Sequence, residues 1–366
     1  MSASSSLISQ NQAIRDAYVK TFVRSPGGGY LPSVGQKTYP DGSVYEGQLS
    51  GGVRVGNGMF TFPSGDVYMG EWANDMFNGR GVYVYANGER YEGQLANWKK
   101  QGQGRYFYAN GNRYEGGWLD DLKHGQGTYV YTDLKESYSG QWQRGKKHGK
   151  GLFRYSYGDE FEGGFAEGVK HGPGVMRFKD GGVFSGSWRN DRASGDCEMR
   201  YANGDVFAGE YLDGKKHGFG IYTYASGTVV EGEFQNDKMT GQSEIKFSNG
   251  DSFAGGLESC QREGPGAYEY SNGDKYQGLW RRNLKNGRGV YAYRSTGDRY
   301  EGDWLDGEKH GSGKYTFAGK EVYEGGFDKG LRNGFGTYKA PGGVFMEGNW
   351  DRDALRDDRP FGRNVF

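Results

Sequence analysis

The sequence has few of the residues that build an ordinary aliphatic core or mark a secreted protein. Hydrophobic residues make up 34% of the 366 positions, and there are only two cysteines, Cys197 and Cys260. Two cysteines do not form a disulfide framework, so we expect a reducing compartment. Lys plus Arg and Asp plus Glu both number 46, which leaves no net charge. A neutral chain offers no global field to attract nucleic acid or a membrane.

The chain also lacks a recognisable targeting or membrane-spanning segment. Its first residues, MSASSSLISQNQAIRDAYVK, contain no basic stretch followed by an apolar one, and no run is long and apolar enough to cross a bilayer. We therefore expect a location in the cytoplasm or on a cytosolic face. Glycine, at 69 residues, and aromatic residues, at 16%, are abundant instead. The aromatic residues argue against disorder, and eight prolines without a Gly-X-Y period exclude collagen.

A glycine recurs along the chain with a period of 23 residues, interrupted by two steps of 24. A large apolar residue lies two positions after each of these glycines, and seven of the eight tryptophans occupy that column. Self-similarity at such a period is typical of a repeat architecture. The recurring glycines are Gly47, Gly70, Gly93, Gly116, Gly140, Gly163, Gly186, Gly209, Gly232, Gly255, Gly278, Gly302, Gly325 and Gly348.

Within each copy, the alternation of side chains predicts a two-stranded hairpin. Tyr45, Gly47 and Leu49 alternate with Glu46 and Gln48, so the two sets lie on opposite faces of a strand. Asn-Gly and Ser-Gly pairs supply the positive φ that tight hairpin turns need. A single hairpin is marginal in water, so neighbouring copies must stack their aromatic residues on one another.

The predicted fold is all-β: an elongated, single-layer antiparallel sheet, a solenoid of about 14 consecutive 23-residue hairpins, with a short N-terminal helix as a cap. We assign residues 1–29 to an N-terminal segment with a helix at about 7–22, residues 30–350 to the repeat array, and residues 351–366 to a C-terminal tail. The repeats are predicted to start near residues 45, 68, 91, 114, 138, 161, 184, 207, 230, 253, 276, 300, 323 and 346.

Two regions depart from the regular pattern. In repeats seven to ten, Cys197 and Ser243 replace the second glycine of Gly-x-Gly and Val230 replaces Tyr, so we expect the sheet to bend or to be loaded differently there. In the tail, WDRDALRDDRPFGRNVF predicts a short helix-like turn that stops before Pro360. That turn covers the last strand in one interpretation; in the other, the free edge makes a homodimer through the C-terminal repeats.

The pattern Tyr-Glu-Gly-x-Trp followed by His-Gly-x-Gly resembles the MORN (membrane occupation and recognition nexus) repeat. YEGGWLDDLKHGQGTY, from Tyr114, and YEGDWLDGEKHGSGKY, from Tyr300, look like near-consensus copies, and the resemblance covers residues from about 35 to 350. It implies an elongated, grooved β-sheet scaffold. Such repeats either accompany catalytic domains, as in lipid kinases and protein methyltransferases, or stand nearly alone in scaffolds such as radial-spoke heads and protist cortical, basal or flagellar-pocket collars. The chain resembles the second kind.

The residues that suggest chemistry are better explained by the repeat. The five histidines, His124, His148, His171, His217 and His310, each precede a Gly-x-Gly motif, one per repeat. Metal ligands and a Ser-His-Asp triad must converge on one point, which residues spread along a sheet do not do. Gly-x-Gly never opens a helix as a phosphate cradle would. We therefore expect no enzyme, no metal site and no cofactor.

Two surfaces are candidates for binding. The aromatic groove is either pure core or a site for a helix or extended peptide of a partner; its neutral surroundings argue against single-stranded nucleic acid. The hairpin tips are either a solvated edge or a weak site for anionic lipid or an acidic partner. The groove candidates are Tyr114, Trp118, Trp142, Trp188, Trp280, Trp304, Tyr131, Tyr155 and Tyr293, and the tip candidates are Lys146, Lys147, Lys170, Lys215, Lys216, Arg281 and Arg282.

The N-terminal segment carries an apolar stripe of Ile14, Tyr18 and Phe22, which either caps the first hairpin or docks to a partner. Together these features predict a non-enzymatic scaffold of a cytoskeletal assembly. From the resemblance, we expect partners in the axoneme of a cilium or flagellum, as in a radial spoke. The alternatives are a cortical or basal membrane-skeleton collar and a peripheral adaptor that binds phosphoinositides. A regulatory subunit of an enzyme is a third class.

Overall fold

The computed structural model describes residues 3–23 and 34–356. The chain divides into two units, Met1–Arg192 and Ala193–Phe366, each built from antiparallel strands that pair with their neighbours in sequence. The prediction of an all-β repeat chain with one short N-terminal helix is confirmed. Among the described residues, no helix has the length and apolar character needed to cross a membrane.

The first unit begins with a helix, α1 (Ala3–Tyr18), which continues into a π-helical turn at Val19–Val23. The helix therefore starts before the expected position near residue 7. Fourteen strands follow in this unit. They are β1 (Val34–Thr38), β2 (Val44–Ser50), β3 (Val53–Thr61), β4 (Val67–Ala73), β5 (Met76–Val84), β6 (Arg90–Ala96), β7 (Lys99–Phe107), β8 (Arg113–Leu119), β9 (Leu122–Tyr131), β10 (Glu136–Gln143), β11 (Lys146–Arg154), β12 (Glu160–Ala166), β13 (Val169–Arg177) and β14 (Val183–Arg189).

The second unit has the same hairpin arrangement, and its first strand begins at the boundary residue. Its strands are β15 (Arg192–Arg200), β16 (Val206–Leu212), β17 (Lys215–Thr223), β18 (Val229–Gln235), β19 (Lys238–Lys246), β20 (Ser252–Glu258), β21 (Gln261–Glu269), β22 (Lys275–Arg281), β23 (Leu284–Ala292), β24 (Arg299–Leu305), β25 (Glu308–Thr316), β26 (Val322–Asp328), β27 (Leu331–Ala340), β28 (Val344–Asp351) and β29 (Ala354–Leu355).

The strand register places the aromatic column and the glycines on one face, which we call the aromatic face. Glu115, between Tyr114 and Gly116, belongs to the opposite face because successive side chains alternate. The hairpin is bulged between Gly116 and Trp118. Its cross-strand pairs on the aromatic face are Tyr114 with Tyr129, Gly116 with Gly127, and Trp118 with Lys123.

The paired glycines exist because a tyrosine ring lies flat on them. Tyr114 is fully buried, and its hydroxyl donates to the carbonyl of Gly117 at 2.9 Å. A Cβ added to Gly127 would lie 2.3 Å from the Tyr114 Oη atom. No side chain fits at that distance, so a tyrosine in this column requires glycine on the neighbouring strand.

Turn carboxylates tie each repeat to the next. The carboxylate of Asp205 accepts hydrogen bonds from the Tyr222 hydroxyl and from the backbone N–H of Ala225, both at 2.8 Å. Burial, followed by the bond to Asp205, raises the pKa of Tyr222, whereas the bonds from Ala225 and Tyr222 lower the pKa of Asp205. Both partners lie in the following hairpin, so the bond helps fix the stacking of adjacent copies.

The N-terminal segment packs on the face opposite the aromatic one. Ile14, Tyr18 and Val19 contact a small apolar cluster that includes Met59 and Met69. The stripe therefore lies over the first hairpin and its neighbour. Among the stripe residues, the side chain of Phe22 lies outside the described side chains.

Polar contacts extend this packing to the end of the second repeat. Asn11 donates to the carbonyl of Gly88 at 2.9 Å and accepts from Arg90 at 2.8 Å. Both Asn11 and Arg90 are buried. The helix thus contacts one face of the first two repeats.

The C-terminal prediction of a helix-like turn is wrong. Ala354 and Leu355 form the short strand β29, which pairs with Trp350 and Asp351 through a tight turn. Arg352 and Asp353 adopt positive φ in that turn, at 49° and 68°. Residues 350–355 repeat the strand-turn-strand pattern of the array, so a hairpin forms there where local propensity favoured a helix. Pro360 lies outside the described residues.

Candidate interaction surface

The predicted groove residues all lie on the aromatic face, but their exposure differs. Most of the tryptophan column is core: Trp118 is 7% exposed, and Trp142, Trp280 and Trp304 are also buried, whereas Trp188 is half-buried. The tyrosines of the outer column remain half-buried and reach the surface. These tyrosines are Tyr131, Tyr155 and Tyr293.

The tryptophans are held by both ring and hydrogen-bond contacts. Tyr114 meets Trp118 edge-on at 5.2 Å within its own repeat and Trp142 at 5.3 Å in the next one. The indole N–H of Trp118 donates to the carbonyl of Gly104 at 3.2 Å. Edge-to-face contacts of this kind stabilise by ~0.5–1.5 kcal/mol beyond the buried area. The tryptophan column thus holds hairpins together and is not free to receive a partner.

The basic tip residues separate into an exposed set and a set that lies on the rings. Lys146 is exposed and pairs with Glu167, while Lys147 lies 4.7 Å from the Phe153 ring. Lys216, which follows the exposed Lys215, lies 4.9 Å from the Tyr222 ring. Lys170 belongs to the ring-bound set, at 4.5 Å from Trp188, and Arg281 and Arg282 belong to the exposed set.

The ring-bound cations form a column that the sequence analysis missed. Lys123 lies 4.5 Å from the Tyr129 ring and 4.7 Å from the Trp142 ring. Burial lowers the pKa of Lys123 and of Lys285 to about 8. The sequence contained an indication of this column: Lys123 lies two and four positions before Gly125 and Gly127, so the alternation of a strand places all three on the same face. Cation–π contacts compensate part of the desolvation.

Some of these cations have a carboxylate partner in the adjacent hairpin turn. Lys100 pairs with Asp121 at 3.3 Å, and Arg332 pairs with Asp353 at 3.0 Å. Arg54 pairs with Asp75 at 2.9 Å in the same way. The aspartate in each pair is the second residue of the turn that follows one repeat later.

Other cations lack this partner because the turn residue is glycine. Within the described ranges, Lys123 and Lys147 form no ion pair, and their turns carry Gly145 and Gly168. Within the described ranges of the second unit, Lys285 and Lys309 likewise form no ion pair, and the turns that face them carry Gly307 and Gly330. Each unit therefore presents one pair of adjacent half-buried ammonium groups that have neither a direct ion pair nor a carboxylate at the second residue of the facing turn. At longer range Lys147 still interacts with Asp191 and Glu136, and Lys309 with Asp353 and Asp298.

The third hairpin turn, between β6 and β7, also departs from the pattern, through a residue that sequence analysis did not single out. Trp98 stands at the aspartate position with φ of 67° and remains 42% exposed. It packs on Phe77, which replaces the cation, at 4.3 Å. An aromatic pair thus takes the place of an ion pair there. The signal was that Trp98 is the one tryptophan outside the column.

The histidines do not form a site. Each lies in a different repeat, and His310 contacts Asp328 at 3.4 Å. In the part of the chain that the structure describes, no group of three His, Cys, Asp or Glu residues is arranged to hold a metal ion. The glutamates of the opposite face instead form surface pairs, such as Arg105 with Glu115 at 3.0 Å.

Comparison with known families gives one clear match. The MORN repeat model matches thirteen segments, while no curated protein matches the chain. The fourteenth predicted copy, from residue 346, is not among them, and the copy near 253 is matched only from 261. The matched residues are 45–67, 68–90, 91–113, 114–134, 138–160, 161–183, 184–206, 207–229, 231–252, 261–275, 276–297, 300–320 and 323–344.

Solved structures resemble the chain only weakly. The wild-type TCP10 domain of Danio rerio CPAP is 13% identical, with 61% of this chain and 98% of that one covered and a TM-score of 0.22. The SAS-4 TCP domain of Drosophila melanogaster, in complex with a proline-rich motif of Ana2, is 13% identical, with 64% and 96% covered and a TM-score of 0.19. Virginiamycin B lyase from Staphylococcus aureus is 9% identical, with 84% of this chain and 91% of that one covered and a TM-score of 0.13. Likenesses at these values carry no argument about this chain.

Proposed function

This chain belongs to the MORN-repeat family, and we propose that it is a non-enzymatic scaffold that holds acidic segments of partner proteins on its aromatic face. Repeats of this family indicate a protein-interaction module, and such proteins are typically associated with the cytoskeleton or with membranes. The observation that carries the proposal is the pair of ring-bound ammonium groups in each unit that form no direct ion pair with any described residue. Lys123 with Lys147, and Lys285 with Lys309, would each gain from a carboxylate.

The repeat spacing sets what such a segment looks like. Adjacent cations of the column are two strands apart, which is ~10 Å at ~4.8 Å per strand. A peptide in the polyproline II conformation covers about that distance in three residues at ~3.1 Å each, and its three residues per turn place side chains i and i+3 on the same side. A partner segment with acidic residues at positions i and i+3 therefore fits both ammonium groups of a pair.

The test compares two neighbouring lysines. A fluorescein-labelled peptide with glutamates at i and i+3 is titrated with the full chain at low salt, and binding is followed by anisotropy. Lys147→Gln is expected to weaken binding about tenfold, the effect of ~1.4 kcal/mol. Lys146→Gln, an exposed neighbour of equal charge, is the matched control and should change binding by less than twofold.

Three results would contradict this proposal. Equal losses in the two variants would mean that general surface charge drives binding. Absence of binding to wild type would refute the acidic-segment interpretation. Binding only to vesicles that contain a phosphoinositide, lost in Lys215→Gln or Arg281→Gln, would favour the membrane adaptor.

The cellular setting that we propose is the axoneme of a cilium or flagellum, in a radial-spoke-like assembly. It is tested by locating the tagged protein before and after detergent extraction. Retention along the axoneme would support this setting, whereas a detergent-resistant cortical or basal ring would favour a membrane-skeleton collar. Complete release into the detergent-soluble fraction would refute a stable scaffold.

A further inference from the structure

One repeat of the second unit lacks the features that fill the aromatic face elsewhere. In residues 230–252, an aliphatic residue takes the tyrosine position of each strand, a methionine takes the cation position, and a threonine precedes the repeat where an aspartate ties neighbours together. The substituted residues are Val230, Ile245, Met239 and Thr228, at positions held one repeat earlier by Phe207, Tyr222, Lys216 and Asp205.

These replacements leave a pocket of about 560 Å³ on the aromatic face. Val230, Phe234 and Met239 form a buried floor, and each is 7% exposed or less. Tyr224, which is 44% exposed, and Phe247 form opposite walls. A cavity of this size and lining lies in the range that binds small ligands or large side chains.

The adjacent copies fill the equivalent space with aromatic rings. Phe207 with Tyr222, and Phe253 with Tyr268, hold the positions that Val230 and Ile245 occupy here. Ser243 lies outside the pocket lining, at a position where most repeats have glycine; it is buried, and its hydroxyl has no hydrogen-bond partner among the described residues. The repeat therefore departs from both of its neighbours at the ring and glycine positions together.

Two cations flank the pocket, one repeat away on each side. Lys216 lies 4.9 Å from the Tyr222 ring, and Arg262 lies 4.4 Å from the Trp280 ring. Neither forms an ion pair within the described ranges. The turn beside Arg262 carries the neutral Asn283, whereas Asp237 lies at the pocket rim and accepts from the Lys216 backbone. Arg262 is therefore the better anion site.

We infer that this pocket receives one large apolar side chain of an extended partner segment that carries acidic residues on both sides of it. Lys216 and Arg262 are two repeats apart, ~19 Å at ~4.8 Å per strand. A segment in the extended polyproline II conformation covers that distance in about six residues at ~3.1 Å each, with every third side chain on the same side. The apolar residue then lies midway, about three residues from each carboxylate. This inference rests on the proposed binding of acidic partners and adds the side chain that fixes their register.

The test fills the pocket with the residue that the neighbouring copies carry. The probe is a fluorescein-labelled peptide, Glu-Gly-Ser-Trp-Ser-Gly-Glu, titrated with the full chain and followed by anisotropy. The Val230→Tyr variant also carries Ser243→Gly, because a ring at residue 230 requires glycine at residue 243. Relative to Ser243→Gly alone, it is expected to weaken binding at least tenfold without lowering the melting temperature. Phe253→Tyr, the same ring column one repeat later, is the matched control and should bind as wild type does.

A second readout uses the two native thiols. Cys260 is exposed at the pocket rim, whereas Cys197 is buried. The bound peptide is expected to slow alkylation of Cys260 several-fold relative to the free chain, with Cys197 as the internal reference, as measured by mass spectrometry. The Val230→Tyr variant should lose this protection.

The outcomes separate this inference from the proposed function. Equal binding of Val230→Tyr, or of a peptide with Ser in place of its Trp, would refute the pocket but leave acidic binding on the face intact. Protection of Cys260 by dodecanoate but not by the peptide would assign the pocket to a lipid chain and overturn the inference. No binding of the peptide would also overturn it, while the Lys147→Gln comparison tests the proposed function independently.

Discussion

The dependence of the tyrosine column on paired glycines makes a quantitative prediction for Gly127→Ala. The new Cβ would lie 2.3 Å from the Tyr114 Oη atom and 2.6 Å from its ring carbons. Tyr114 has no room to retreat, because it is fully buried and packs edge-on against Trp118 and Trp142. Overpacking costs ~1–3 kcal/mol, and the loss of the hydroxyl bond to Gly117 adds ~1 kcal/mol. We expect a total of ~3 kcal/mol.

Gly125→Ala is the matched control, since it separates a steric clash from backbone strain. Gly125 has φ of 68°, and a Cβ there would meet no atom within 4 Å. Its substitution should cost ~1–2 kcal/mol, from the left-handed backbone alone. Gly127 does not adopt a left-handed φ, so its cost arises from the tyrosine ring.

A double mutant tests the cause directly. In a Tyr114→Val background, Gly127→Ala should cost less than ~1 kcal/mol, which implies a coupling of ~2 kcal/mol. The chain contains this combination once, where Val230 occupies the ring position and Ser243 the glycine position. The fold accepts a side chain there because no ring covers it.

The assay is hydrogen exchange of the full chain, read by mass spectrometry on peptides from β8 and β9. Local exchange is preferred because repeat arrays need not unfold in a single step. Urea denaturation followed by tryptophan fluorescence gives the global change. The reasoning is refuted if Gly127→Ala loses no more protection than Gly125→Ala, or if Tyr114→Val does not relieve the loss.

Two further predictions concern charge and the helix. Because burial holds the pKa of Lys123 and Lys285 at about 8 in the folded chain, well below the usual range of a lysine, the unfolded chain binds more protons above that pH. Thermal melts should therefore show stability rising from about pH 7.5 to 9 and falling toward pH 10 and above, as unfolded tyrosines ionise. The rise should be smaller in the double variant Lys123→Met with Lys285→Met, and the remainder is expected from Lys147, Lys170 and Lys309, whose pKa burial also lowers. Wild-type stability that falls from pH 8 would contradict this prediction. Asn11→Ala should lower the protection of the helix against hydrogen exchange by ~2 kcal/mol, since it removes the donor to the Gly88 carbonyl and one of the partners of the buried Arg90, which keeps its ion pair with Glu92. The second unit is the internal control, and unchanged helix protection would contradict the assigned contacts.

The sequence by itself determined the repeat, the strands and the two faces. A period of 23 residues with alternating side chains leaves little choice of strand register, because a one-residue slip would move every aromatic residue of the strand to the wrong face. The glycines and the turn residues carry the same information, so Tyr114, Gly116 and Trp118 were assigned correctly to one face. Local patterns of this kind depend only on neighbours in the chain and in the adjacent hairpin.

Only the tertiary structure decided which charged groups meet the rings. The bulge after Gly116 and the left-handed Gly125 interrupt the simple alternation, so the sequence analysis did not separate Lys146 from Lys147. Counter-ions come from turns about 21 residues away, as in the pair of Lys100 and Asp121. The stripe of Ile14 and Tyr18 likewise predicted a helix but not the face it covers.

The pocket shows the same limit most clearly. Val230 and Ser243 were visible as departures from the repeat, but neither reveals a cavity on its own. The space arises because Ile245 and Met239, which both line it, are smaller or more flexible than the residues at these positions in the previous repeat. The surrounding rings do not move in to fill it, because their own glycine and hydroxyl contacts hold them. Side-chain volume summed over several strands is a property of packing, and packing is decided in three dimensions.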